Sequence, residues 1–271
     1  LYTNTTGSAN TASGYEALYY NTTGSNNVAI GMNTMFNNTT GTNNVAIGAN
    51  ALCAGTVGND NTALGFGALR ANTGYYNTAV GSCALCSNTS GAGNNAFSKN
   101  ALRDNTTGAC NTALGRSALA ANTTGCMNTA SGYQALKANT TGCMNTANGY
   151  HALAANTTGQ YNTASGYKAM AANTTAGCNT AFGQNALRLN TTGGGEVAVG
   201  QGALYNNTTG HVNTVVGREA MYYNTTGASN TAMGNYALMA NTTGSENVAV
   251  GQRALCSNTT VSYTHLRAHE T

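Results

Sequence analysis

Residues 128–144 read NTASGYQALKANTTGCM, and residues 145–161 read NTANGYHALAANTTGQY. The second stretch repeats the first with changes only at its fourth, seventh, tenth, sixteenth and seventeenth positions. Self-similarity at a fixed period marks a chain built by stacking one structural unit. Worked outward in both directions, the motif is N-T-A-x-G-x-x-A-L-x-x-N-T-T-G-x-x. Its first position falls at Asn10, Asn27, Asn44, Asn61, Asn77, Asn94, Asn111, Asn128, Asn145, Asn162, Asn179, Glu196, Asn213, Asn230 and Asn247. Every step is 17 residues except one of 16, where Asn72-Thr73-Gly74 lacks a Thr. Position 3 is Ala in every copy but one (Val215), position 5 is Gly except at Ser98, position 8 is Ala except at Thr34, and position 9 is always Leu or Met.

A repeat this short, cut twice by Gly, cannot form a helical hairpin. Short strands joined by corners fit it. Gly at positions 5 and 15 is expected to supply the positive φ of a tight corner, and Asn at position 12 to bond its own backbone in a turn. Stacked coils would then pair as parallel ladders about 4.8 Å apart. One coil cannot bury its own apolar side, so neighbours must stack to make a continuous core. Ala at 3 and 8 and Leu at 9 are its natural filling, with Asn and Thr bonding along the axis. The expected fold is all-β: a repetitive β-solenoid or β-roll of fifteen 17-residue coils over residues 1–260.

Successive strand residues face opposite ways, so position 4 points away from position 3. It is apolar in eleven copies: Ile30, Ile47, Leu64, Val80, Phe97, Leu114, Phe182, Val199, Val216, Met233 and Val250. An apolar stripe on the second face usually marks an interface, and these eleven are the expected inter-chain seam of a side-by-side homotrimer. In the other four copies Ser13, Ser131, Asn148 and Ser165 are each followed two residues later by Tyr15, Tyr133, Tyr150 or Tyr167. Either those rings fill the volume of the missing aliphatic side chain, or the copies are recent duplicates.

The composition excludes several classes of function. The chain holds 35 Gly, no Pro, no Trp and 6% charged residues, against about a quarter charged in ordinary domains. Its net charge of +3 is spread thinly, with no basic run to track a phosphate backbone, so nucleic acid is not an expected partner. No apolar run is long enough to span a bilayer, so no membrane insertion is expected of this segment. The eight Cys (Cys53, Cys83, Cys86, Cys110, Cys126, Cys143, Cys178, Cys256) scatter over positions 7, 10, 16 and 17. Cys83-x-x-Cys86 lacks the second pair a zinc site needs. Cys126 and Cys143 share position 16 in adjacent coils, at a spacing that suits a disulfide with parallel Cβ vectors that do not. His151 and His211 have no partners at ligand spacing, and the scattered acids form no carboxylate pair or calcium ladder. No cofactor, no metal and no enzymatic activity are expected. The N-T-T triplets are also glycosylation sequons, but corner geometry accounts for their recurrence.

The repeat ends at Thr260. Residues 261–271, VSYTHLRAHET, have a different composition and resemble the translated read-through of a sequencing-library adapter; they are read as a non-native, disordered tail, and the chain as a fragment with both natural ends missing.

The core N-x-A-x-G-x-x-A-L, as in residues 27–31 and 128–136, resembles the head repeats of trimeric autotransporter adhesins, and similar repeats occur in phage tail-fibre proteins and in secreted bacterial proteins with a self-cleaving chaperone domain. The resemblance implies a left-handed β-roll, three chains side by side, and surface attachment, with no catalytic residues to carry over. It departs in period, because the shorter family repeats lack the N-T-T-G insertion. The expected role is therefore a structural and adhesive fibre segment, extracellular, on the cell surface or outer membrane or on a virion tail. It would bind a surface receptor, glycan or matrix through many weak contacts. Variable positions that hold Tyr19, Tyr20, Tyr75, Tyr76, Tyr222 and Tyr223 are the expected contacts. An alternative from another class is an ice-binding Thr-rich solenoid, since Thr recurs at positions 2, 13 and 14; against it, 13 and 14 face opposite ways and position 2 is often Val or Asn.

Overall fold

The structure, a computed structural model, describes residues 1–54 and 58–267 and divides into two units, Leu1–Thr141 and Gly142–Thr271. Both are parallel β-solenoids in which each coil contributes one three-residue strand at positions 2 to 4. In the first unit these are β1 (Thr11–Ser13), β2 (Val28–Ile30), β3 (Val45–Ile47), β4 (Thr62–Leu64), β5 (Thr78–Val80), β6 (Asn95–Phe97), β7 (Thr112–Leu114) and β8 (Thr129–Ser131). In the second they are β9 (Thr146–Asn148), β10 (Thr163–Ser165), β11 (Thr180–Phe182), β12 (Val197–Val199), β13 (Thr214–Val216), β14 (Thr231–Met233), β15 (Val248–Val250) and β16 (His265–Arg267). Within each unit consecutive strands pair in parallel with position 3 opposite position 3, as in Ala29↔Ala46 and Ala164↔Ala181.

Three residues are too few for a stable strand alone, and the rest of each coil supplies the missing backbone pairing. Position 9 donates to the position 8 carbonyl one coil on (Leu102 N to Ala118 O, 3.0 Å), and position 13 to the next position 13 (Thr106 N to Thr123 O, 2.9 Å). Position 17 donates the other way (Cys110 N to Ala92 O, 3.0 Å). Main-chain groups are thus satisfied along the axis at the corners as well as in the sheet.

The short step at Asn72 is absorbed within one turn. Asn72 Nδ2 reaches the Gly74 carbonyl at 2.9 Å, two residues on instead of three, while the strand register Thr62↔Thr78 is kept.

The corners differ from the expected ones. Gly at position 5 does take positive φ (Gly115, 138°), but no Gly at position 15 does among the described residues. Position 15 is small because it is crowded: a Cβ on Gly108 would overlap the Gly125 carbonyl oxygen and lie 2.5 Å from Asn105 Oδ1. Ala176 and Val261 are the copies that depart from glycine there. The left-handed conformation falls instead on positions 7, 9 and 17, and so on leucines such as Leu119 (φ 52°) and Leu136 (φ 51°). A left-handed leucine costs about 1–2 kcal/mol. The kink it makes breaks strand alternation, so that positions 8 and 9 both point inward. Ala118 and Leu119 are each 0% exposed, and burying such a leucine returns about 1.5–3 kcal/mol, enough to offset the strain.

A prediction follows from this balance. Leu119→Ala is expected to cost about 2–5 kcal/mol through the cavity it leaves. Leu119→Gly should cost no more, because glycine is free of the left-handed penalty. In ordinary helices and strands glycine is the worse of the two. Urea unfolding of both variants checks this, and a Gly variant clearly less stable than the Ala variant would show that the conformation at position 9 carries no strain.

Residues 261–267 depart from the expected disordered tail. β16 pairs with β15 (Ala249↔Leu266), and Thr264 N donates to Asn247 Oδ1 at 2.9 Å. An open sheet edge offers backbone groups that any extended segment can pair with, whatever its side chains. Residues 268–271 lie outside the described residues, as do residues 55–57 of the coil that begins at Asn44.

Candidate functional surface

Each coil has a sealed interior and a variable exterior. The interior holds Ala at 3 and 8, Leu or Met at 9, and Asn at both 1 and 12. Asn88, Asn94, Asn105, Asn111 and Asn122 are all 0% exposed. Position 12 forms one amide ladder: Asn105 Nδ2 donates to Asn88 Oδ1 (2.7 Å) and to the Gly108 carbonyl (2.9 Å), and Asn122 Nδ2 donates to Asn105 Oδ1 (2.7 Å). Position 1 forms another, in which Asn111 N and Nδ2 both donate to Asn94 Oδ1 (3.0 and 3.1 Å) and Nδ2 also reaches the Gly125 carbonyl (2.9 Å). The second unit repeats both ladders, as in Asn224 Nδ2 to Asn207 Oδ1 (2.8 Å) and Asn230 Nδ2 to Asn213 Oδ1 (3.0 Å). The N-T-T asparagines of the inner coils, such as Asn88, Asn105 and Asn122, are therefore interior groups with their amide hydrogens committed, and a folded coil leaves no room for a glycan on them; Asn4 and Asn258 at the two ends are not sealed in this way.

Glu196 replaces Asn in the position 1 ladder of the second unit and is 0% exposed. Its Oε2 accepts from Asn213 N at 3.0 Å, and its Oε1 from Asn213 Nδ2 at 3.1 Å and Asn207 Nδ2 at 3.4 Å. Burial pushes its pKa from 4.5 up to about 8, against the pull of those donors.

Outside, the position 4 side chains stand in register. In the first unit Ile30, Ile47, Leu64, Val80, Phe97 and Leu114 follow one another on consecutive strands; in the second Phe182, Val199, Val216, Met233 and Val250 do so. All eleven apolar position 4 residues thus fall into two unbroken ladders, one per unit. Neither ladder is covered within the chain: Leu114 is 54% exposed, and Ile30, Leu64, Phe182 and Met233 are also exposed.

The six tyrosines form three clusters. Tyr19 stacks between Tyr2 (5.0 Å, 9°) and Phe36 (5.5 Å, 23°), and Tyr20 meets Tyr19 and Phe36 edge-on. Tyr222 stacks on Tyr205 (4.9 Å, 16°), with Tyr223 edge-on to it and the Arg188 guanidinium 5.5 Å over the Tyr205 ring. Tyr75 and Tyr76 lie tilted, their centroids 6.4 Å apart. The sequence reading missed Tyr2, Phe36, Tyr205 and Arg188, although each shares position 10 with its neighbour, a signal that alignment of the copies carries. The tyrosines after Ser13, Asn148 and Ser165 do not fill a gap: Tyr15 is 70% exposed, and Tyr150 and Tyr167 stack on each other at 5.4 Å. Stacking along the axis is what orders the latter pair.

In the second unit an open pocket of about 400 Å³ is lined by Glu219, Tyr236, Met239, Arg253 and Cys256. Arg218 and Arg253 both approach the Tyr236 ring, at 5.9 and 6.0 Å. Arg218 also pairs with Glu219 at 3.4 Å. Among the described residues no group of three or more His, Cys, Asp and Glu could hold a metal ion, and no helix is long and apolar enough to cross a membrane. The position 13 threonines spend their hydroxyls inside the stack (Thr106 Oγ1 to Thr123 O, 3.1 Å), which leaves position 14 as the exposed Thr row of that corner. The chain matches no known family model and no curated protein.

Proposed function

We propose that this chain is a segment of an extracellular fibre with a structural and adhesive role, in which three copies pack side by side through the position 4 ladders. The observation that carries this reading is the pair of unbroken apolar ladders on an otherwise polar repeat, exposed over most of the first unit and half-buried at the valines of the second. An apolar row of that kind on an isolated chain usually marks an association surface, and the strand register repeats it coil after coil within each unit. Trimer symmetry comes from the resemblance to adhesin head repeats, as does the extracellular setting on a cell surface or virion tail. The stacked aromatic clusters around Tyr19 and Tyr222 are the contacts to a receptor, glycan or matrix. Each is weak, and repetition along the fibre multiplies them through effective concentration.

Light scattering on a size-exclusion column tests the association. The expected mass is three times the 27.4 kDa of one chain. Leu64→Lys together with Leu114→Lys should reduce it to the single-chain mass with the circular dichroism of the solenoid retained. A folded wild-type monomer would overturn the seam, and an unaltered oligomer in the double variant would move it off position 4.

A further inference from the structure

We propose that Cys83 and Cys86 form a redox-active dithiol that closes to a disulfide across the turn at their coil's corner. They stand at positions 7 and 10, and no other copy has Cys at both. Between them Ala84 and Leu85 point inward, each 0% exposed, so the two flanking side chains share the outer side of the corner. Positions 7 and 10 are the ends of a four-residue turn. In several coils the position 10 N–H donates to the position 7 carbonyl: Lys137 to Gln134 (3.3 Å), Met239 to Tyr236 (3.3 Å) and Cys256 to Arg253 (3.1 Å). Such a turn holds its end Cα atoms within about 7 Å, and a disulfide spans about 4.4–6.8 Å. The left-handed backbone at Cys83 (φ 55°) and Leu85 (φ 51°) sets this corner like the others.

The Cys86 thiol lies 4.0 Å from Ser87 Oγ and donates to the Arg103 carbonyl at 3.7 Å. Arg70 and Arg103 occupy position 10 in the neighbouring coils. Burial and then the nearby Cys83 push the Cys86 thiol up, with Ser87 and Arg70 pulling the other way. Cys86 is 8% exposed and Cys83 more so, which makes Cys83 the attacking thiol and Cys86 the resolving one.

The oxidant is a small-molecule disulfide such as oxidised glutathione. The Cys83 thiolate attacks one of its sulfurs, the glutathione S–S bond breaks, and one glutathione thiolate leaves and takes up a proton. The Cys86 thiolate then attacks Cys83 Sγ, the mixed disulfide breaks, and the second glutathione leaves. Two protein thiols are oxidised and one small disulfide is reduced to two thiols. The bond would tie the corner shut around the buried Leu85.

The test uses the full chain equilibrated with oxidised glutathione, then alkylated, unfolded in acid and digested after Lys and Arg. The peptide of residues 71–99 contains these two cysteines and no others. It is expected unalkylated and lighter by two hydrogens, with both thiols recovered by dithiothreitol. A doubly alkylated peptide, a stable adduct on both cysteines, or a link to the peptide carrying Cys53 would each overturn the proposal. In Cys86→Ser the reaction should arrest as a Cys83–glutathione adduct; no adduct there would overturn Cys83 as the attacking thiol.

Discussion

Asn105→Leu is expected to destabilise the first unit by about 3–5 kcal/mol, although it places a more apolar side chain of similar size in a fully buried site. Three amide hydrogen bonds disappear, each with a net worth of about 0.5–1.5 kcal/mol. Gly108 O keeps a second donor in Asn94 Nδ2 at 2.8 Å, and Asn122 Nδ2 keeps the Gly125 carbonyl at 2.9 Å. Asn88 Oδ1 loses the donor that Asn105 supplied, and a buried acceptor left bare costs about 1–3 kcal/mol more. The sign is what matters. A core held by apolar burial alone would gain from leucine here, whereas a core held by amide ladders must lose. Because repeat arrays open locally as well as globally, hydrogen exchange reads the effect best: protection should fall in the coils carrying Asn88, Asn105 and Asn122. A neutral or stabilising substitution would show that the ladders are passengers.

Glu196 is expected to make the second unit less stable in mild alkali than in mild acid. Its ordinary pKa is 4.5 and its folded value about 8, so the folded state holds the proton more tightly. The stabilisation tied to that proton is complete below about pH 4.5 and declines as the pH rises, until it is lost above about pH 8. At about 1.36 kcal/mol per pH unit, the whole swing is about 5 kcal/mol. Loss of that proton leaves a carboxylate sealed from water. Thermal unfolding at about pH 5 and about pH 9 should differ far more in the wild type than in Glu196→Gln. Equal pH dependence in the two proteins would mean that the carboxylate reaches solvent.

The period, a strand through positions 3 and 4 and the inward Ala and Leu were readable because they follow from alternation and from comparison of copies within one chain. The buried Asn at position 1 was not. Asparagine is ordinarily a surface residue, and its burial is favourable only where the next coil brings a matching amide, a property of the stack and not of the motif. Gly at 15 was misread because two causes leave the same mark: a positive φ and a crowded Cβ both demand glycine, and only the distance from Gly108 to its neighbours separates them. The left-handed turn at position 9 is invisible because leucine carries no preference for it. The position 4 ladders were legible down to the residue, since a strand offers only two faces. The aromatic clusters were half legible: adjacent pairs such as Tyr222 and Tyr223 stand out, while Tyr205, 17 residues away, joins them only once coils are stacked.

Both asparagine ladders point the same way: wherever an Nδ2 bridges two coils it gives its hydrogen to the coil before it, and the Oδ1 receives from the coil after it. Their dipoles therefore add within each unit, as peptide dipoles add along a helix. Severed between two coils, such a ladder would bare side-chain oxygens on the N-terminal piece and side-chain amide hydrogens on the C-terminal piece. Those two faces suit each other. Coils of this design can be multiplied or joined head to tail without altering a side chain.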